Sequence, residues 1–188
     1  MLHGKRIAIL ATNGFEQSEL TEPLQRLREA NADVRIVSLE KTDIRGESNG
    51  QWADTVRVDL TVDEVSADDF DTLVIPGGLH NPDALRSSSK AVSFVRSMFD
   101  AKKPVAAICH GPWLLVEADI ARGRKLTSYP SIKTDITNAG GLWVDEPVVV
   151  DQALITSRSP DDLEVFIGKI IEETREGRHQ HRVTTEAA

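Results

Sequence analysis

Cys109, the only cysteine in this 188-residue chain, stands immediately before His110 in the stretch PVAAICHGPWLLVE at 104–117. Its first residues form an apolar run suited to a buried parallel strand, and Gly111-Pro112 then opens a second apolar run at helical spacing, Trp113, Leu114 and Val116. Cys109 therefore falls at a strand-to-helix turn. There the unpaired N–H groups and positive dipole end of the helix favour the thiolate and lower its pKa. A lone strand cysteine is usually a small buried hydrophobe. A cysteine at a sharp turn followed by His-Gly instead resembles a nucleophile elbow, whose side chain is pushed out at the top of a sheet.

His110, Glu16, Asp83 and the Gly77-Gly78 backbone could complete a reaction centre. His110 could be the base, provided the turn brings its ring round, and a third group must then orient it: Glu16, Asp83 or a residue of another subunit. Sequence spacing does not choose among these. Glu16, if protonated, could donate a hydrogen bond to the thiolate, whereas ionised it would oppose thiolate formation; it could equally be a first-turn glutamate complementing a helix dipole. The Gly77-Gly78 backbone in the Pro76-Gly77-Gly78 loop could line an oxyanion hole with the amide of His110, although such loops often mark only a turn. No GxGxxG or GxxxxGK[ST] pattern follows a strand, which argues against a nucleotide site. His179-Gln-His181 reads as part of a solvated tail, and Cys109, His110 and His80 lack any recurring ligand spacing, so no metal and no cofactor are expected.

The elements that must hold these residues alternate. Strands are expected at 6–11, 34–39, 72–75, 104–108, 126–129, 148–150 and 153–156, and helices at 17–27 with an interruption at Pro23, at 91–99, after Gly111, at 131–139 and from Ser159-Pro160 onward. Residues 40–62 read as a half-exposed edge hairpin. Strands apolar on both faces alternating with helices predict an α/β sandwich around a mostly parallel sheet, with ligands beyond the strand C-termini. Loops 13–16, 76–80 and 109–111 should meet there. The length suits one domain at 1–174 with a polar tail at 175–188. A net charge of −8 disfavours nucleic acid and anionic membrane as partners and leaves a small-molecule, peptide or protein substrate. One cysteine, no long apolar segment and no leader-like start predict a cytoplasmic protein.

AAICHGPWLL, together with GFEQSEL at 14–20, VIPGG at 74–78, NPDALR at 81–86, GRKLTSYPSIKTDITNAG at 123–140 and the region from VVVD to SRSPDDL at 148–163, resembles the PfpI-type intracellular proteases of the DJ-1/PfpI superfamily. The resemblance implies a flavodoxin-like three-layer sandwich, Cys109 as elbow nucleophile with His110 beside it, Glu16 as the acidic residue next to the thiol, and Gly77 and Gly78 at the oxyanion. It also implies that Asp83, supplied by a neighbouring subunit of a homodimer or larger oligomer, orients the histidine. Asp83 stands where the compared relative has a longer Glu. The implied activity is that of a stress-associated cysteine hydrolase, a peptidase or a deglycase of carbonyl adducts. Alternatives are a redox sensor or protective chaperone built on an oxidisable Cys109, and a methylglyoxal hydratase. A glutamine amidotransferase shares the elbow but needs a late His-x-Glu pair, which 157–163 lacks.

Overall fold

The computed structural model describes residues 1–179. The first strand, β1 (Arg6–Leu10), sends Ile7 and Ile9 into one apolar layer and Ala8 and Leu10 into the other, the period-two pattern of a strand covered on both faces. β3 (Asp33–Ser38), β7 (Thr72–Ile75), β8 (Val105–Ile108) and β12 (Leu154–Ser157) join it in parallel, with β6 (Leu60–Thr61) on one edge and the antiparallel β11 (Val148–Asp151) on the other. The seven-stranded order is β11-β12-β8-β7-β1-β3-β6. β11 and β12 are joined by Gln152 and Ala153, both at positive φ, the left-handed pair that a two-residue hairpin of this twist demands.

Helix α1 (Gln17–Glu29) and helix α6 (Leu163–Glu176) cover one face; Leu20 and Leu27 of the first pack in the same layer as Phe166, Ile167 and Ile170 of the second. Helices α3 (Ser89–Asp100), α4 (Trp113–Glu117) and α5 (Lys133–Asn138) cover the other, through Phe94, Met98, Leu114 and Ile136. The expected three-layer sandwich is present. Two small sheets lie outside it. β2 (Phe15–Glu16), β4 (Ile44–Ser48) and β5 (Gln51–Val56) form the half-exposed excursion expected at 40–62, and β9 (Lys125–Leu126) pairs in parallel with β10 (Leu142–Trp143).

Three local expectations change. α1 runs unbroken through Pro23, whose ring is buried and whose missing N–H leaves the Glu19 carbonyl without its helical donor. Residues 80–86, where no helix is expected, form α2 (His80–Arg86), in which Arg86 reaches back to Asp83 across one helical turn. The strand expected at 126–129 ends at Leu126, since the Thr127 N–H turns to the side chain of Thr156. Beyond α6, residues 177–179 are described; the remainder of the predicted tail, His181 included, lies outside the described residues.

Beside β6, the edge of β3 is capped by one side chain. Asp59 donates its N–H to Ile36 and accepts the Ile36 N–H on Oδ2 at 2.8 Å, so the residue before β6 continues the pairing of β3 with its own carboxylate. No described helix is long and apolar enough to cross a membrane.

Phe166 is fully buried between α6 and the sheet. Phe166→Ala should lower the unfolding free energy by about 3–5 kcal/mol, read as a lower urea midpoint with an unchanged slope.

Candidate active site

The end of β8 turns abruptly. The Gly111 N–H donates to the Ile108 carbonyl at 2.8 Å, and Cys109 inside this turn has φ +62°, a left-handed conformation that a cysteine rarely adopts. Its backbone is held from both sides, the N–H donating to Ser157 O at 3.1 Å and the carbonyl accepting from Tyr129 N at 2.8 Å. Gly111 has no room for a side chain, since a Cβ there would lie 2.8 Å from the carbonyls of both Ile108 and Ile75. The strained turn brings the imidazole round as the elbow requires: Cys109 Sγ lies 3.2 Å from His110 Nδ1.

His110 is oriented within its own chain. Its Nε2 lies 3.0 Å from Ser131 Oγ, its ring stacks on Tyr129 at 4.9 Å between centroids, and Trp113 meets it edge-on at 5.2 Å. Trp113 is in turn fixed by its Nε1–H donating to Asp135 and by the Arg86 guanidinium 4.3 Å over its ring. Asp83 does not touch His110 of its own chain. It is exposed and pairs with Arg86 at 2.6 Å, one side chain removed from the wall that Trp113 forms.

The carboxyl that lies against the thiol belongs to Glu19, one helical turn beyond the expected Glu16. Glu19 is fully buried and accepts the Gly77 N–H on Oε2 at 2.8 Å, while Oε1 has no hydrogen-bond partner among the described residues. Burial pushes its pKa up to about 8; the Gly77 N–H opposes this, and the charge of Glu16 adds to it. Glu16 is half-buried at the mouth, its pKa raised by burial and by Glu47, which is itself held by His80 at 2.8 Å. A helical reading carried the signal: Glu19, Pro23 and Leu27 recur every four residues on the buried face of α1.

The two glycines divide the work expected of them together. The Gly77 N–H is taken by Glu19, whereas the N–H groups of Gly78 and His110 face the Cys109 sulfur. Neither glycine can be replaced easily: a Cβ on Gly77 would lie 2.6 Å from both Cys109 Cβ and Glu19 Oε2, and one on Gly78, at φ +82°, would lie 2.4 Å from Gly14 O. Asn81 ties the loops together. Fully buried, it accepts the Thr12 N–H at 2.7 Å and donates to Pro76 O and Gly77 O, so one amide joins the segments after β1 and β7. Loops 13–16, 76–80 and 109–111 thus converge as the parallel sheet requires.

Electrostatics runs against the expected depression of the thiol pKa. Burial pushes the Cys109 thiol up, the Glu19 charge pushes it further, and the Gly78 and His110 N–H groups pull it back. A buried carboxylate and a buried thiolate in contact cannot both be charged, so near pH 7 Glu19 keeps its proton and the thiol is the group that must lose one. His110 is held below its usual pKa by burial and is neutral near pH 7, ready to take that proton at Nδ1.

A family model for the DJ-1/PfpI family matches residues 5–173. The chain belongs to the DJ-1/PfpI family. Deglycase PfpI of Pyrococcus furiosus is 45% identical over 166 residues, covering 88% of this chain and 97% of that protein. General stress protein 18 of Bacillus subtilis is 46% identical over 165 residues, with 87% and 94% covered. The crystal structure of Drosophila melanogaster DJ-1beta superposes with a TM-score of 0.82 at 31% identity, over 92% of this chain and 94% of that one.

Two measurements check this electrostatic arrangement. Glu19 is ordinarily a carboxyl of pKa 4.5 and is held near 8 in the fold, so folding stability is highest below about pH 4.5 for this group and falls as pH rises toward 8, where the unfolded state ionises first. Glu19→Gln should remove that decline from a urea-midpoint series between pH 5 and 8, whereas Glu16→Gln should retain most of it. Alkylation of Cys109 followed against pH should change its profile strongly in Glu19→Gln and weakly in Glu16→Gln.

Proposed function

We propose that this protein is a stress-associated cysteine hydrolase of the PfpI type, acting on carbonyl adducts of proteins or small molecules or on peptide carbonyls. The observation that carries this reading is the Sγ–Nδ1 contact of 3.2 Å at a turn where Cys109 has positive φ. Such a turn presents sulfur to the open end of the sheet beside a neutral base. The names deglycase and general stress protein borne by its relatives support the same class.

The steps follow from the groups in place. His110 Nδ1 accepts the thiol proton, the sulfur electron pair attacks the substrate carbon, and the former carbonyl oxygen gains the negative charge. The Gly78 and His110 N–H groups, which face the sulfur before reaction, are the donors nearest to that oxyanion. His110 then returns its proton to the leaving group, and water attacking the sulfur-bound carbon releases the product and restores the thiol. Glu19, protonated near neutral pH, can donate to the thiolate from Oε1 and keeps a second negative charge away from it. Ser131 holds the far nitrogen of His110 through the cycle. In this reading Asp83 completes the site from a second copy of the chain in a homo-oligomeric enzyme; its exposure beside Arg86 and Trp113 supports that role.

Cys109→Ser should lower turnover of a methylglyoxal-treated peptide, or of an unmodified peptide, by at least about 1,000-fold while leaving the circular dichroism spectrum unchanged. Wild-type turnover in that variant would sink the assignment. Ser131→Ala, by freeing the imidazole, should cost about 10-fold in kcat with little change in KM.

A further inference from the structure

α6 ends with two carboxylates, Glu173 and Glu176, in its last turn, where the helix dipole is negative and acidic groups are disfavoured. Glu173 is buried, with 8% of its side chain exposed. Opposite them stands His179, fixed by its N–H donating to Lys102 O at 3.0 Å in the turn before β8. His179 Nε2 lies 2.9 Å from Glu173 Oε2 and 3.8 Å from Glu176 Oε2. Among the described residues that approach is an ion pair without hydrogen-bond geometry: neither Glu173 Oε2 nor His179 Nε2 makes a hydrogen bond, and both atoms are shielded from solvent. The nearby Lys169 is engaged with Glu172 at 2.7 Å.

We infer that Glu173, Glu176 and His179 form a binding site for a divalent transition-metal cation, which clasps the segment after α6 to the end of that helix. The three ligand atoms lie within 4.8 Å of one another. Four-coordinate zinc, with ligand bonds of about 2.0–2.2 Å, places neighbouring ligand atoms roughly 3.3–3.6 Å apart, between the two separations seen here. One imidazole and two carboxylates suit zinc or cobalt, whereas calcium calls for six to eight oxygens. A cation would take up both of the atoms that lack a hydrogen bond and offset the negative helix end.

The site is separate from the thiol. α6 follows β12 and packs back along it, so its last turn reaches the end at which the parallel strands begin, the end marked by Lys102 before β8; Cys109 follows the opposite end of β8. The ion's role is therefore structural. It fixes the backbone after Gly177, a residue at φ +84° where the helix stops.

Zinc titration of the full chain by calorimetry, paired with the visible spectrum of the cobalt(II) form, tests the site. The expected result is one saturable site whose affinity falls at least roughly 100-fold in Glu173→Gln and in His179→Ala and about 10-fold in the exposed Glu176→Gln, with a cobalt spectrum free of thiolate charge transfer and preserved in Cys109→Ser. No saturable binding, binding unaffected by His179→Ala and Glu176→Gln, or binding lost in Cys109→Ser would each overturn it. Glu176→Gln and His179→Ala keep the test decisive if Glu173→Gln fails to fold.

Discussion

The candidate active site of this molecule depends on one buried carboxyl. Glu19 accepts the Gly77 N–H and lies against Cys109, so it joins α1, the loop after β7 and the elbow after β8 at a point with little access to water. A charged carboxylate there would stand beside a sulfur that must itself become charged in the proposed reaction. The protonated form avoids the conflict. It leaves the thiolate as the only anion and the Gly78 and His110 amides free to stabilise it. The close approach of Gly77 to both Cys109 and Glu19 is the steric counterpart of that electrostatic fit.

Much of this architecture was legible in the sequence because it rests on local rules. Apolar runs over both faces of β1, β7 and β8, the turn at Cys109 and the Gly77-Gly78 loop each announce themselves in neighbouring residues, and the parallel sandwich follows from their alternation with helices. Glu16 and Glu19 were harder to separate. Both belong to GFEQSEL, and only the four-residue rhythm through Pro23 and Leu27 puts Glu19 on the inner face. Ser131, Tyr129 and Asn81 were invisible for another reason. Their roles arise across 21, 20 and 69 residues of chain, and a serine beside a proline or an asparagine before one looks like an ordinary turn residue.

The two ends of the sheet are treated differently. Beyond the strand C-termini, loops are short, glycine-rich and latched by the Asn81 amide, which holds reacting groups in register at the cost of strain at Cys109. At the strand N-termini, the last turn of α6 concentrates carboxylates around an imidazole that the turn at Lys102 holds in place. The first end suits proton transfer, the second a fixed charge. Separating them over the length of the strands lets the C-terminal segment be anchored without perturbing the thiol.

The carboxylate of Asp59 has a consequence for how copies of this chain can meet. An outer strand normally offers a row of free amides on which another chain can build, the route by which sheets extend into aggregates. Here the Ile36 amide is already spent on Asp59, and the strand beyond it is two residues long. Growth of the main sheet by strand addition is obstructed at this edge. Association there is left to side chains, which recognise a particular partner, instead of to backbone, which accepts almost any.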